Sequence, residues 1–195
     1  MPFPGTRAMV FVDGTNLLVE VFSALGVKLR AEKASADALN LASQCVAHSL
    51  RELFGTHMQG HIIVRRYWFG SVQGSEEDLE TAQMTLRSLG YDAAVFRNVK
   101  GRDAKGVDLA VAREMLIHGF QRNYDVAIVV AGDEDYLGLV QDVKRFGLIV
   151  VGMYFESSAL SKKLKVAFDH FSPLYNPEPF QPVLTDRVKA EQSAG

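Results

Sequence analysis

The stretch Val126-Ala127-Ile128-Val129-Val130-Ala131-Gly132-Asp133-Glu134-Asp135-Tyr136-Leu137 passes from an unbroken apolar run into consecutive acids and then into a helical pattern. A short apolar run bounded by turn residues fits a strand buried on both faces, as in a parallel sheet covered by helices. Acids at the end of such a strand stand where open α/β sheets bind their ligands. Working outward, comparable runs occur at Ala8 to Val12, His61 to Phe69, Tyr91 to Phe96 and Leu148 to Phe155, beside the central run Asp125 to Ala131. Between them lie helical patterns at Asn16 to Leu25, Ala36 to Phe54, Glu76 to Leu89, Val107 to His118, Tyr136 to Phe146 and Leu160 to Phe171. This alternation predicts an α/β domain with a mainly parallel five-stranded sheet between two helical layers. Gly26, Gly55, Gly90, Gly119 and Gly147 are each expected just past a helix, where a left-handed residue suits glycine.

Composition sets limits. The 195 residues with 48% hydrophobic content suit a single core, with a folded domain over residues 1–175. Asn176 to Gly195 loses the periodicity and is expected to be a flexible tail. Lys plus Arg number 21 against 23 Asp plus Glu, a net charge of -2, so any polyanion must be held by a local patch. Cys45 has no partner for a disulfide or a thiolate zinc site and is expected to be buried and inert. Met1 to Arg7 has no hydrophobic signal core, and no apolar stretch approaches the roughly 20 residues that span a bilayer. The expectation is a cytoplasmic protein with no membrane partner.

Four acids fall at strand ends and helix starts. Asp13 closes the first run in Phe11-Val12-Asp13-Gly14-Thr15-Asn16-Leu17, and Gly14 there is read as permitting a tight turn. A capped helix start would equally account for Asp13 and Asn16. In Lys105-Gly106-Val107-Asp108, the acid shares its helical face with Val111, Ala112 and Met115, so it is expected to point toward the sheet and to need a compensating partner. Interaction with the helix dipole, worth about 0.3–1 kcal/mol, is the plainer account. Glu114 lies roughly 120° off that stripe and is expected to face solvent. Asp133 and Asp135 follow the fourth strand, and two acids so close repel unless a cation sits beside them.

These motifs, "FVDGTNL", "KGVD" and "VVAGDEDYLGLVQDVKRFGLIVVGM", resemble in order and setting the NYN domain, a branch of the PIN-like ribonuclease superfamily, over about residues 8 to 174. The resemblance implies a Rossmann-like, PIN-like three-layer sandwich, expected here with strand order 3-2-1-4-5. It also implies a nuclease, an endoribonuclease dependent on Mg2+ or Mn2+. Carried over, Asp13, Asp108, Asp133 and Asp135 become metal-binding, catalytic acids, and Asn16 a polar neighbour that positions a ligand or water. Lys105 would face substrate phosphate. Two positions depart from the pattern: Ala131 replaces a common Ser or Thr, and Glu114 a common Asp.

A hard cation suits this donor set, since Mg2+ takes oxygen ligands and keeps several waters. The five histidines show no paired metal spacing. Arg97, Lys100, Arg102 and Lys105, on the stretch leading to Asp108, are the expected RNA phosphate contacts; an ordinary solvated loop is the alternative. Lys162, Lys163 and Lys165 are read as a charged helix face, and Trp68 as core packing on the side of its strand opposite Tyr67 and Phe69. A haloacid-dehalogenase-type phosphatase is excluded because Phe11 occupies the nucleophile position two before the Asp of "DGT". No phosphate-binding GxxxxGK[ST] or GxGxxG loop is present. The competing reading is a non-catalytic RNA-binding or protein-interaction module that keeps the acidic pocket. A homodimer is left open.

Overall fold

A computed structural model of the chain describes residues 6–26, 35–98, 106–157, 159–175 and 182–193. Its strands are β1 (Arg7–Asp13), β2 (Ile62–Val72), β3 (Asp92–Arg97), β4 (Val126–Val130), β5 (Ile149–Tyr154) and β6 (His170–Pro173). Its helices are α1 (Gly14–Ala24), α2 (Ala36–Thr56), α3 (Glu76–Ser88), α4 (Val107–Phe120), α5 (Leu137–Arg145), α6 (Lys162–Ala167) and α7 (Pro182–Ser193), with a 3-10 turn, Glu134–Tyr136, leading into α5. All pairings are parallel, in the order β3-β2-β1-β4-β5-β6. β1 and β4 lie side by side at the centre, as expected from sequence, and β6 is an addition at the edge.

The sheet carries a core on each face. On one, Val10, Val12 and Trp68 pack against apolar side chains of α1, α2 and α3. On the other, Phe11, Phe69 and Val129 pack against α4, α5 and α6. β1 and β4 are buried almost throughout, which is why they read as continuous apolar runs. Trp68 and its neighbours Tyr67 and Phe69 fall on opposite faces, as strand alternation requires. Cys45 is fully buried, and burial pushes its thiol up to about 12.

Three expectations change. The pattern Leu160 to Phe171 resolves into the short α6 and then β6; Pro173 is compatible with that edge position, where a missing N–H costs no ladder bond. Gly55 and Gly119 lie inside α2 and α4, so left-handed backbone follows helices at Gly26, Gly90 and Gly147, while Arg122 takes that conformation after α4. The stretch expected to be a flexible tail includes α7. Its Val188 and Leu184 are buried at helical spacing, and Arg187 bonds Asp37 of α2 at 2.8 Å. Of its apolar residues, Leu184 and Val188 are buried while Val183 is exposed, so the helix carried a weak pattern. Among the described residues, no helix is long and apolar enough to cross a membrane.

Candidate active site

Because β1 and β4 are neighbours with Val12 opposite Val130, their carboxyl ends bring Asp13 and the Ala131–Tyr136 turn together. Asp13 caps α1: its Oδ1 accepts the backbone N–H of Asn16 at 2.9 Å. Asn16 Oδ1 accepts the N–H of Gly132 at 2.9 Å, so its side chain braces the two strand ends. Tyr154, from β5, donates its hydroxyl to the Asn16 carbonyl at 3.0 Å. A Cβ on Gly132 would sit 2.2 Å from the Tyr154 ring, so only glycine admits this packing.

The two acids that meet most closely do so through a tyrosine. The Tyr136 hydroxyl stands 2.7 Å from Asp13 Oδ2 and 3.1 Å from Asp108 Oδ1. A phenol has one proton to give. With both carboxylates ionised, one of the two contacts lacks a hydrogen, so the trio is short of one proton or one positive charge. Asp13 is only 4% exposed, and burial, with the nearby Asp108 charge adding to it, raises its pKa to about 6 despite bonds from Asn16 and Tyr136. Burial and the same two carboxylates push the Tyr136 hydroxyl well above its usual range, so it stays protonated.

Asp108 sits in the first turn of α4 and reaches Tyr136 from an exposed position, whereas the apolar stripe predicted a buried one. The residues that α4 buries are Val107, Val111, Met115 and Gly119, so the buried stripe runs through Val107 and leaves Asp108 beside it, facing solvent and Tyr136. Asp133 and Asp135 are exposed; Asp133 Oδ1 accepts the Asp135 N–H at 3.1 Å, capping the 3-10 turn. Among the described residues, no three His, Cys, Asp or Glu side chains converge as a ready ligand set. Asp13 and Asp108 are the two carboxylates that would hold a hard divalent cation here, and such an ion would supply the charge that the Tyr136 proton cannot give twice.

Arg97 is exposed at the end of β3, while Lys100, Arg102 and Lys105 lie outside the described residues. Glu114 is half-buried, not solvent-facing: it accepts from Arg113 at 2.9 Å and lies 3.5 Å from His118. Glu134 is held by Lys163 at 2.7 Å and Ser161 at 3.2 Å, which ties α6 to the acidic turn. Lys165 bonds Glu156. Sequence reasoning missed the bridging role of Tyr136 and also Glu20. Glu20 is 7% exposed, accepts the Ser157 hydroxyl at 2.6 Å, and sits four residues after Asn16 on the buried side of α1. A polar residue at helical spacing on an apolar stripe was the available signal.

The model of the NYN domain family matches residues 7–175. No curated protein is detectably similar to the chain. Among solved structures, a protein of unknown function from Vibrio parahaemolyticus is similar in fold, with a TM-score of 0.61 and 14% identity over 88% of this chain and 94% of that one.

Proposed function

The chain belongs to the NYN domain family, and on that premise we propose that it is a metal-dependent ribonuclease cutting internal phosphodiester bonds of RNA. The observation that carries this reading is the meeting of Asp13 and Asp108 on one tyrosine hydroxyl, a buried and a solvent-facing carboxylate short of one positive charge. Mg2+ or Mn2+, held there with Asp133 and Asp135 at the rim, would supply Lewis-acid stabilisation of the phosphoryl oxygens and a more acidic water. Tyr136 keeps the two carboxylates in register while they are metal-free. Asn16 holds the α1 and β4 ends together, and its Nδ2, without a protein partner among the described residues, is free to donate to substrate. Arg97, with Lys100, Arg102 and Lys105 before α4, would neutralise phosphates without reading sequence.

One observation favours a second reading, a non-catalytic RNA-binding or protein-interaction module: Asp133 is turned to its own backbone, its Oδ1 accepting the Asp135 N–H. A cleavage assay on mixed single-stranded and structured RNA, with Mg2+ or Mn2+ and with a chelator, separates the two. Metal-dependent cleavage that Asp13→Asn abolishes supports the nuclease. Binding without cleavage under every metal condition supports the module.

A further inference from the structure

Arg65, Arg66 and Arg87 line a cleft of about 490 Å³ with Ile63, Tyr91 and Asp92. It exists because β2 begins before β3 does: β3 pairs only from Tyr67 onward, so Ile62 to Arg66 keep a free outer edge. Arg65 is paired with Asp92 at 3.4 Å. The Arg66 guanidinium lies 5.2 Å from the Tyr91 ring centroid, and neither it nor Arg87 has an ion-pair partner among the described residues. The walls thus carry three guanidinium groups against one carboxylate, in a chain of net charge -2. Guanidinium groups bind phosphate oxygens through paired, charge-assisted hydrogen bonds.

A second cleft, about 230 Å³, shares Arg87 and Asp92 with the first and continues past Tyr67 and Ala94 to Phe69. Phe69 is the register partner of Asp13 in the sheet. The two clefts therefore adjoin at the edge of β2, the second lying on the Phe69 face and Arg66 reaching the first from the opposite face beside Tyr91, with Phe69 to Arg66 about 10 Å along the strand at roughly 3.3 Å per residue. Asp92 and Glu114 also line the narrower part, but each is engaged by an arginine, Arg65 and Arg113. We propose that the arginine cleft is a phosphate-binding subsite for single-stranded RNA, holding the backbone a few nucleotides from the bond placed at Asp13 and Asp108. This rests on the ribonuclease reading. The cleft between α4 and β3 suits one strand, not a duplex, and its aromatic walls are too buried to stack bases, so the recognition is of backbone charge.

The test is affinity for labelled oligouridylates of 4 and 12 nucleotides across a salt series, in full-length Asp13→Asn protein so that cleavage does not intervene. Arg66→Ala with Arg87→Ala should weaken the 12-mer about tenfold and lower its salt slope by about 1.4, the value for two single-strand phosphates, with a smaller loss for the 4-mer. Arg87→Glu alone, on the exposed end of α3, gives the same reading should loss of the Arg66–Tyr91 contact unfold the double variant. Wild-type affinity and slope in Arg66→Lys, which keeps charge without the fork, would limit the site to simple electrostatics and overturn the paired-bond assignment. An unchanged slope with RNA still bound overturns the subsite, leaving the nuclease reading intact and the free edge of β2 to an acidic protein strand. No binding of either oligomer by any variant, with no cleavage by wild type, overturns both.

Discussion

Asn16 Oδ1 accepts the backbone N–H of Gly132 at 2.9 Å, bonding the first turn of α1 to the turn after β4. The bond joins the two segments that carry Asp13 and Asp133, so the spacing of the acids depends on a neutral side chain between them.

Asn16→Leu leaves the buried Gly132 N–H without an acceptor, which should cost about 1–3 kcal/mol in urea unfolding. Asn16→Asp keeps the acceptor and should recover most of that loss, while adding a negative charge beside Asp13. Equal stability of wild type and Asn16→Leu would show that the bond does not hold the strand ends.

Asp13 has its pKa raised to about 6 in the fold against 3.8 as its ordinary value, first through burial and partly through Asp108. The folded state therefore holds the proton more tightly than the unfolded chain. Its contribution is fully present below the unfolded value and is lost as pH rises through about 6. Two pKa units correspond to about 3 kcal/mol at most. Metal-free wild type should lose stability between about pH 4 and 6.5, and Asp13→Asn should flatten that part of the profile and match or exceed wild type at neutral pH. Parallel profiles for the two proteins would contradict the assignment.

The central pairing of β1 and β4 was legible because both strands are buried on two faces and read as unbroken apolar runs. The same pattern named Asp13, which ends β1, and Asp133, which follows β4 by three residues. It misplaced Asp108, because Val111 and Met115 fit a stripe through Val107 as well as one through Asp108, and the buried stripe runs through Val107. β6 was hidden inside an apolar helical pattern: only His170–Pro173 form the strand, too few residues for a period-two signal. The Tyr136 bridge could not be read at all, since it joins residues 123 apart in sequence through a tertiary contact.

Mg2+ or Mn2+ should raise the melting temperature of the apo protein by satisfying Asp13 and Asp108 together. Binding to the folded state alone stabilises by RT ln(1 + [L]/Kd), about 2.7 kcal/mol at a hundredfold excess over Kd. Asp108→Asn should shrink this shift while leaving apo stability unchanged or improved, because one of two neighbouring charges is gone and the shape remains. Calorimetry over a cation series checks both. Strong apo destabilisation by Asp108→Asn, with no metal effect on wild type, would make Asp108 a helix-start acid only.

Gly14 is the first residue of α1, immediately after Asp13, and it has an ordinary negative φ, so a turn requirement does not explain it. The close approach of Trp68 does: a Cβ at Gly14 would lie 2.0 Å from the indole Nε1. Helix propensity alone would make Gly14→Ala stabilising by up to about 1 kcal/mol. Overpacking against the buried ring should instead destabilise by about 1–3 kcal/mol, so the sign of the change decides between the two. Trp68 is the single tryptophan, and its emission should shift with the displaced ring. Because relief of the clash moves the turn that carries Asp13, metal-dependent cleavage should fall further than the loss of folded protein alone would account for. A higher melting temperature with unchanged emission would show that the indole leaves room at this turn and does not set the position of Asp13.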